Sequence, residues 1–190
     1  MMPPLKLSFL ATLLGLAFAM PQIYGLLKPA GFTAALRKFP RSMPCGYALM
    51  LGGTTWFLWN LKTDTISDFA VFKPLMLAGF AVIGIGTCIY VRDYLAVRGL
   101  AVVALLVAKV VLDTARWVDT PWRLVLVVWM YLWIVAAVWI TVSPWRLRDF
   151  IHFITASERR VRIGSAVRLA FGLFVALLGV TVLRQAGAGP

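Results

Sequence analysis

Apolar positions in this chain neither alternate nor recur on one face of a short element. They fill whole stretches of about 20 residues, the length a helix needs to cross a bilayer. Such runs lie at residues 5–27, 44–61, 69–91, 95–118, 122–142 and 164–183. The pattern predicts an all-α, polytopic membrane protein: one integral membrane domain over residues 1–190, with six transmembrane helices. The first run also has the marks of a secretory signal, with Lys6, an apolar stretch from Ser8 to Leu16, and a small-x-small site at Ala17, Phe18 and Ala19. Pro21 to Leu27 extend the apolar run past that site, so it reads as an uncleaved first helix, kinked at Pro21.

Between the runs, the four residues PWRL occur twice, at Pro121 to Leu124 and at Pro144 to Leu147. A hydroxyl residue, Thr120 or Ser143, precedes each copy and suits an N-cap ahead of a proline whose missing N–H costs a helix start nothing. The Trp and Arg that follow suit the headgroup layer, where an amphipathic ring and a snorkelling guanidinium are both at home. The second copy opens residues 144–163, too charged to span and too apolar to float free. This segment is expected to lie in the interface as a short helix, with Phe150, Ile151, Phe153 and Ile154 toward lipid and Arg146, Arg148 and Asp149 toward water. Thr155 and Glu158 have the spacing of a capping box for a further helix start. Trp122, Arg123, Trp145, Arg146, Arg159, Arg160 and Arg162 are the candidate headgroup contacts.

Composition sharpens the class. Hydrophobic residues make up 62% of the chain, mean hydropathy is +0.88, and 14% of residues are charged, against roughly 25% in a soluble domain. The net charge of +12 does not imply nucleic acid, because the basic residues stand between apolar runs and not on one polar face; membrane lipids are their expected partner. Their distribution predicts orientation. Twelve of the basic residues, Lys28, Arg37, Lys38, Arg41, Arg92, Arg98, Arg146, Arg148, Arg159, Arg160, Arg162 and Arg168, cluster on one side. Six, Lys6, Lys62, Lys73, Arg116, Arg123 and Arg184, fall on the other with Asp64, Asp68 and Asp119. Both termini are then expected outside a bacterial cytoplasmic membrane.

Simple counts exclude much chemistry. With His152 as the one histidine, bis-histidine haem ligation within the chain and a zinc protease motif are both ruled out. Cys45 and Cys88 form no C-x-x-C pair, and both fall at predicted cytoplasmic helix ends, where reduced thiols are expected. The glycines of LGGTTW, Leu51 to Trp56, and of GIGTC, Gly84 to Cys88, lack a following Lys-Ser/Thr and read as close helix-packing sites, not phosphate loops. Trp129 and Trp133 are four residues apart on one face, in a run that also holds Tyr131 and Trp139. They read as packing against lipid or a neighbouring helix, not as a quinone or pigment site. Tyr90 and Trp117 join Trp122 and Trp145 as belt residues. No cofactor or metal site is expected.

One run carries charge. At about 100° per residue, Lys109 lies roughly 20° around the helix from Arg98, Asp113 roughly 60°, and Arg116 back at roughly 0°. The four share one stripe. Arg98 and Arg116 sit near the ends and can snorkel, whereas Lys109 is about 16 Å along the axis from Arg98 and about 10 Å from Arg116. Asp113, at i+4, is placed to compensate it. The stripe is expected to face other helices and fix their register. The functional expectation is a non-catalytic integral membrane subunit or accessory protein of a larger complex. The alternative is a small proton, ion or solute transporter or channel subunit using that stripe. No nucleophile, acid–base pair or metal site supports a membrane enzyme.

Overall fold

The computed structural model describes residues 6–63 and 71–186. The expected helix starts at Leu5 and Phe69, and Asp64 and Asp68, lie outside the described residues. Among the described residues all regular structure is helical: α1 (Leu7–Leu27), α2 (Pro29–Lys38), a 3-10 turn (Phe39–Arg41), α3 (Met43–Thr63), α4 (Lys73–Tyr90), α5 (Leu95–Ala115), α6 (Arg123–Val142), α7 (Trp145–Ile154), α8 (Glu158–Val180) and α9 (Val182–Ala186). Five helices are long and apolar enough to cross a membrane: α1, α4, α5, α6, and α8 with its continuation to Gln185. The chain is thus an all-helical protein of the multi-pass membrane type. In hydrocarbon a spanning segment must satisfy its backbone internally, and a helix does so within one segment. The α3 helix is equally long but falls outside that set, its apolar content diluted by Thr54, Thr55, Asn60 and Lys62.

The chain forms two compact units, neither continuous in sequence. One is built from the described residues of Lys38–Val107 and Ile134–Leu147, the other from those of Met2–Arg37, Ala108–Trp133 and Arg148–Pro190.

In the first unit, α3 packs on α4 and on the start of α5 around Met50, Cys88 and Leu95, with Tyr47 and Val102 against them. Backbone closeness sets this packing. A Cβ on Gly99 would stand 2.8 Å from Met50 N, and one on Gly46 3.0 Å from Ala96 N. Within LGGTTW and GIGTC the glycines divide, because helical neighbours in sequence point to different sides. Gly53 faces Val102 and Gly84 faces the Thr54 side chain, whereas Gly52 and Gly86 meet nothing within 4 Å. Phe57 and Phe80 add an edge-to-face contact at 4.9 Å. The connection from α4 to α5 is so short that Tyr94 adopts φ 56°, a left-handed conformation uncommon for a non-glycine. Its carbonyl accepts from Val97 and Arg98 N–H, starting α5.

The second unit is organised by an antiparallel pair, α1 on α8. Thr12, Gly15 and Ala19 on α1 meet Gly179, Gly172 and Ala176 on α8. A Cβ on Gly15 would stand 2.5 Å from Ala176 N and 2.6 Å from Gly172 O, and one on Gly172 2.8 Å from Gly15 O. Small residues let two backbones meet where lipid supplies no hydrophobic drive between helices. Pro21 lies inside α1, which runs on to Leu27. The helix ends at Lys28, φ −133°, ψ 70°, because the proline that follows disfavours helical geometry there. Pro29 in turn suits the first position of α2, a helix where the sequence pattern showed only a loop.

Arg123 and Arg146 N–H bond the carbonyls of Thr120 and Ser143, at 3.2 and 3.0 Å, a turn over each proline that leads into α6 at Arg123 and α7 at Trp145. The last long helix starts at Glu158, six residues before the apolar run. Its cap is Ser157, extended at φ −146°, ψ 152°, with its hydroxyl accepting from Arg160 N–H, and not Thr155. The Thr155 hydroxyl is already engaged, donating to Ile151 O and accepting from Arg37. A cap with Glu158 in the first turn starts a helix whether or not the next residues are apolar.

Candidate functional site

The stripe on α5 forms its pair. Lys109 Nζ and Asp113 Oδ2 are 2.9 Å apart, one helical turn from each other. The side chains are 49% and 55% exposed, so each stands about half out of the surrounding chain. The two faces differ because Ala108, Val111 and Ala115 take the buried side of this stretch. Arg116 is exposed beyond the helix end. Arg98 is half-buried, and its Nε is buried without a hydrogen-bond partner among the described residues.

The expected headgroup residues occupy varied environments. Arg123 is spent on the end of α5: its Nη1 donates to Val118 O at 2.8 Å, Arg116 O at 3.3 Å and Ala115 O at 3.5 Å. These carbonyls lie at and just beyond the C-terminus of α5, where the helix dipole favours a cation. Trp122 lies edge-on to Phe174 at 6.5 Å. Trp145 is exposed, and Arg146 stacks over the Trp139 ring at 5.7 Å. Arg159, Arg160 and Arg162 are all exposed on the first turns of α8, with Arg160 5.4 Å from the Phe153 ring centre. On α7, Ile151 is buried, while Phe150 and Phe153 are exposed.

Trp129 is buried, edge-on to Phe18, Phe171 and Trp133 at 5.3, 5.2 and 5.4 Å. Of the two expected settings, lipid or a neighbouring helix, Trp129 takes the second, against Phe18 of α1 and Phe171 of α8. Among the described residues no three His, Cys, Asp or Glu side chains come together as a metal-ligand set. Cys45 is exposed and Cys88 buried, both as free thiols.

Two polar arrangements were not legible as sites. Within the α1–α8 pair, Arg168 Nε donates to Gln22 Oε1 at 2.9 Å, and Ser165 beside Gly25 is wholly buried with its hydroxyl unpartnered among the described residues. Gln22, the one amide in the first apolar run, was the available signal; Arg168 reads in sequence only as another loop-side cation. On the second, Arg37 reaches from α2 to the α7–α8 turn, donating from Nε to Thr155 Oγ1 at 3.0 Å and from Nη2 to Thr155 O at 2.9 Å. No periodicity connects positions so far apart in the chain.

Comparison of the chain with protein-family models, with curated proteins and with solved structures gives no match in any of the three.

Proposed function

We propose that this chain is a non-catalytic integral membrane subunit or accessory protein, docking through the half-exposed Lys109–Asp113 face of α5 onto a larger membrane partner. The observation that carries the reading is the pair's exposure on a helix apolar enough to span. A charge pair on a spanning helix normally faces the bundle interior or water; this one is about half exposed, with Lys109 about 9 Å by helical rise from the end of α5 at Ala115. Polar groups of a second protein are the natural cover for it.

Six spans, with α3 as the second, belong to the same proposal, and the parity of the chain supports them. Gly25 on α1 lies beside Ser165 on α8, and Thr12 beside Gly179, so the two helices run antiparallel. An even number of crossings must then separate them. Arg37 bonding Thr155 gives the same parity for the connections after α1 and before α8. The four helices α3 to α6 satisfy both relations, and the three without α3 satisfy neither. The excess of Lys and Arg then assigns that shared side to the cytoplasm, with both termini outside and α7 at the inner interface of a bacterial cytoplasmic membrane.

Photo-crosslinkers placed at Lys109 and at Arg116, in cells, test the docking face. The expected product is a discrete protein adduct at Lys109 that survives as a complex in mild detergent. Lipid adducts alone, together with a proton or ion flux from the purified chain in liposomes that Asp113→Asn abolishes, would replace the subunit reading with a conducting one.

A further inference from the structure

At Pro21 the way α1 holds to α8 changes. From Gly15 to Ala19 backbone lies on backbone, a steric fit that needs no polar bond. From Gln22 onward polar bonds join it. Gln22 Oε1 accepts from Arg168 Nε at 2.9 Å, Gly25 lies against the Ser165 hydroxyl, and Arg37 holds Thr155 at the α7–α8 turn by two bonds, of 3.0 and 2.9 Å. Between those points the segment packs on itself. The Tyr24 and Phe32 rings meet edge-on at 6.3 Å, the Tyr24 hydroxyl lies over Gly31, and Phe32 lies against Gly25. Residues 22–37 are therefore built to move as one piece.

Two features weaken its closed arrangement. Pro21 has no N–H, so the ladder of α1 lacks the bond to Ala17 O. The Gln22 amide reaches back only to the next carbonyl, donating to Phe18 O at 3.4 Å, a length at which such a bond is weak. Ser165 is 0% exposed and its hydroxyl has no partner among the described residues, a desolvation cost recovered only when water or a carbonyl reaches it. A helix interrupted at one point, bonded beyond it through two arginines and covering an unsatisfied hydroxyl, has the character of a unit that opens before the rest of the fold. We infer that residues 22–37 form a strap, hinged at Pro21 and latched by Arg168 and Arg37, which opens to bare the polar edge of Ser165 and Arg168 on α8. Those two residues are three apart and share one helix face. A molecule that binds the edge selects the open strap, whatever covers α5.

Hydrogen exchange of the full chain in lipid nanodiscs, read by mass spectrometry, tests the strap, with residues 7–20 as the internal reference. Arg37→Ala should speed exchange across residues 22–37 about tenfold and leave 7–20 unchanged, because it releases the strap and not the helix pair. Ser165→Ala removes the unsatisfied hydroxyl and Pro21→Ala restores the missing helix bond, so each should slow the same amides about fivefold. Both of these favour the closed fold, so the outcome does not hang on a damaged protein. Faster exchange in Ser165→Ala would mean that the hydroxyl holds the closed state, and it would overturn the strap. Equal acceleration of residues 7–20 by Arg37→Ala would do the same, since α1 would then leave α8 as a whole, and so would unchanged exchange in all three variants.

Discussion

Replacing Gly15 with alanine adds a single methyl group where α1 meets α8, and its effect can be worked from the contact geometry. The new Cβ would stand 2.5 Å from Ala176 N, 2.6 Å from Gly172 O and 2.9 Å from Ala176 Cα, where ordinary contact begins at 3.4 Å. All three atoms are backbone, fixed in α8 by its own hydrogen-bond ladder, so no side chain can turn aside. The helices must move apart by nearly 1 Å along the whole stripe of small residues. A gap of about 0.5–1 Å forfeits a quarter to a half of each pairwise attraction, and overpacking of this kind costs about 1–3 kcal/mol. The helix propensity of alanine returns up to about 1 kcal/mol, leaving a net loss of up to about 2 kcal/mol when that offset is fully realised. Gly86→Ala is the matched control: nothing lies within 4 Å of its Cβ, so only the propensity gain of up to about 1 kcal/mol remains. The assay is a sodium dodecyl sulfate titration of the detergent-solubilised protein, followed by tryptophan emission, which Trp129 reports from the packed face of the same unit. Gly15→Ala should unfold at a lower denaturant fraction than wild type, and Gly86→Ala at an equal or higher one. Coincident transitions for the two variants would refute the close approach of the backbones.

Asp113→Asn should remove the carboxylate that pairs with Lys109 and lower folded yield by the equivalent of up to about 2.5 kcal/mol, less where Lys109 reaches the interface; Lys109→Met with Asp113→Asn should restore most of it, and fluorescence-detected size exclusion reads both. A double variant as poorly folded as the single would reject compensation within the pair. In a Cys45→Ser background, thiols at Ala156 and Thr63 should react from opposite sides of the membrane, with Thr63 reached by an impermeant maleimide outside cells; labelling of Ala156 from outside inverts the orientation. Arg37→Ala removes both bonds to Thr155 and should cost about 1–2 kcal/mol, a range reduced for the exposure of Arg37, seen as earlier proteolysis at the α7–α8 turn. The intact mass without reductant should correspond to two free thiols, and a loss of two daltons would contradict the separate settings of Cys45 and Cys88.

Much of the fold was legible because the bilayer constrains the pattern so strongly. Long apolar stretches specify helices whatever their neighbours do, and α1, α4, α5, α6 and α8 each sit on an expected run. The i+4 spacing of Lys109 and Asp113 likewise forecast their bond, since both partners ride on one helix. Boundaries failed where local chemistry overrode hydropathy. Ser157 begins α8 in the middle of a charged stretch, and Pro29 begins α2 in what looked like a loop. Within the candidate site, Arg168 escaped notice because its partner Gln22 is contributed by another helix.

The sequence by itself determined the class of object: helices set by runs of apolar residues, charges gathered at their ends, and one ion pair a single turn apart. These follow from backbone hydrogen bonding and desolvation, which act locally along the chain. Only the tertiary structure decided that α1 lies against α8, that Gly15 and Gly172 are points of close backbone approach, that Arg37 closes on Thr155, and that Lys109 and Asp113 stand half-exposed. Each of these depends on which helix faces meet. Hydropathy carries no such information when every face is apolar, and steric fit between backbones makes the choice instead.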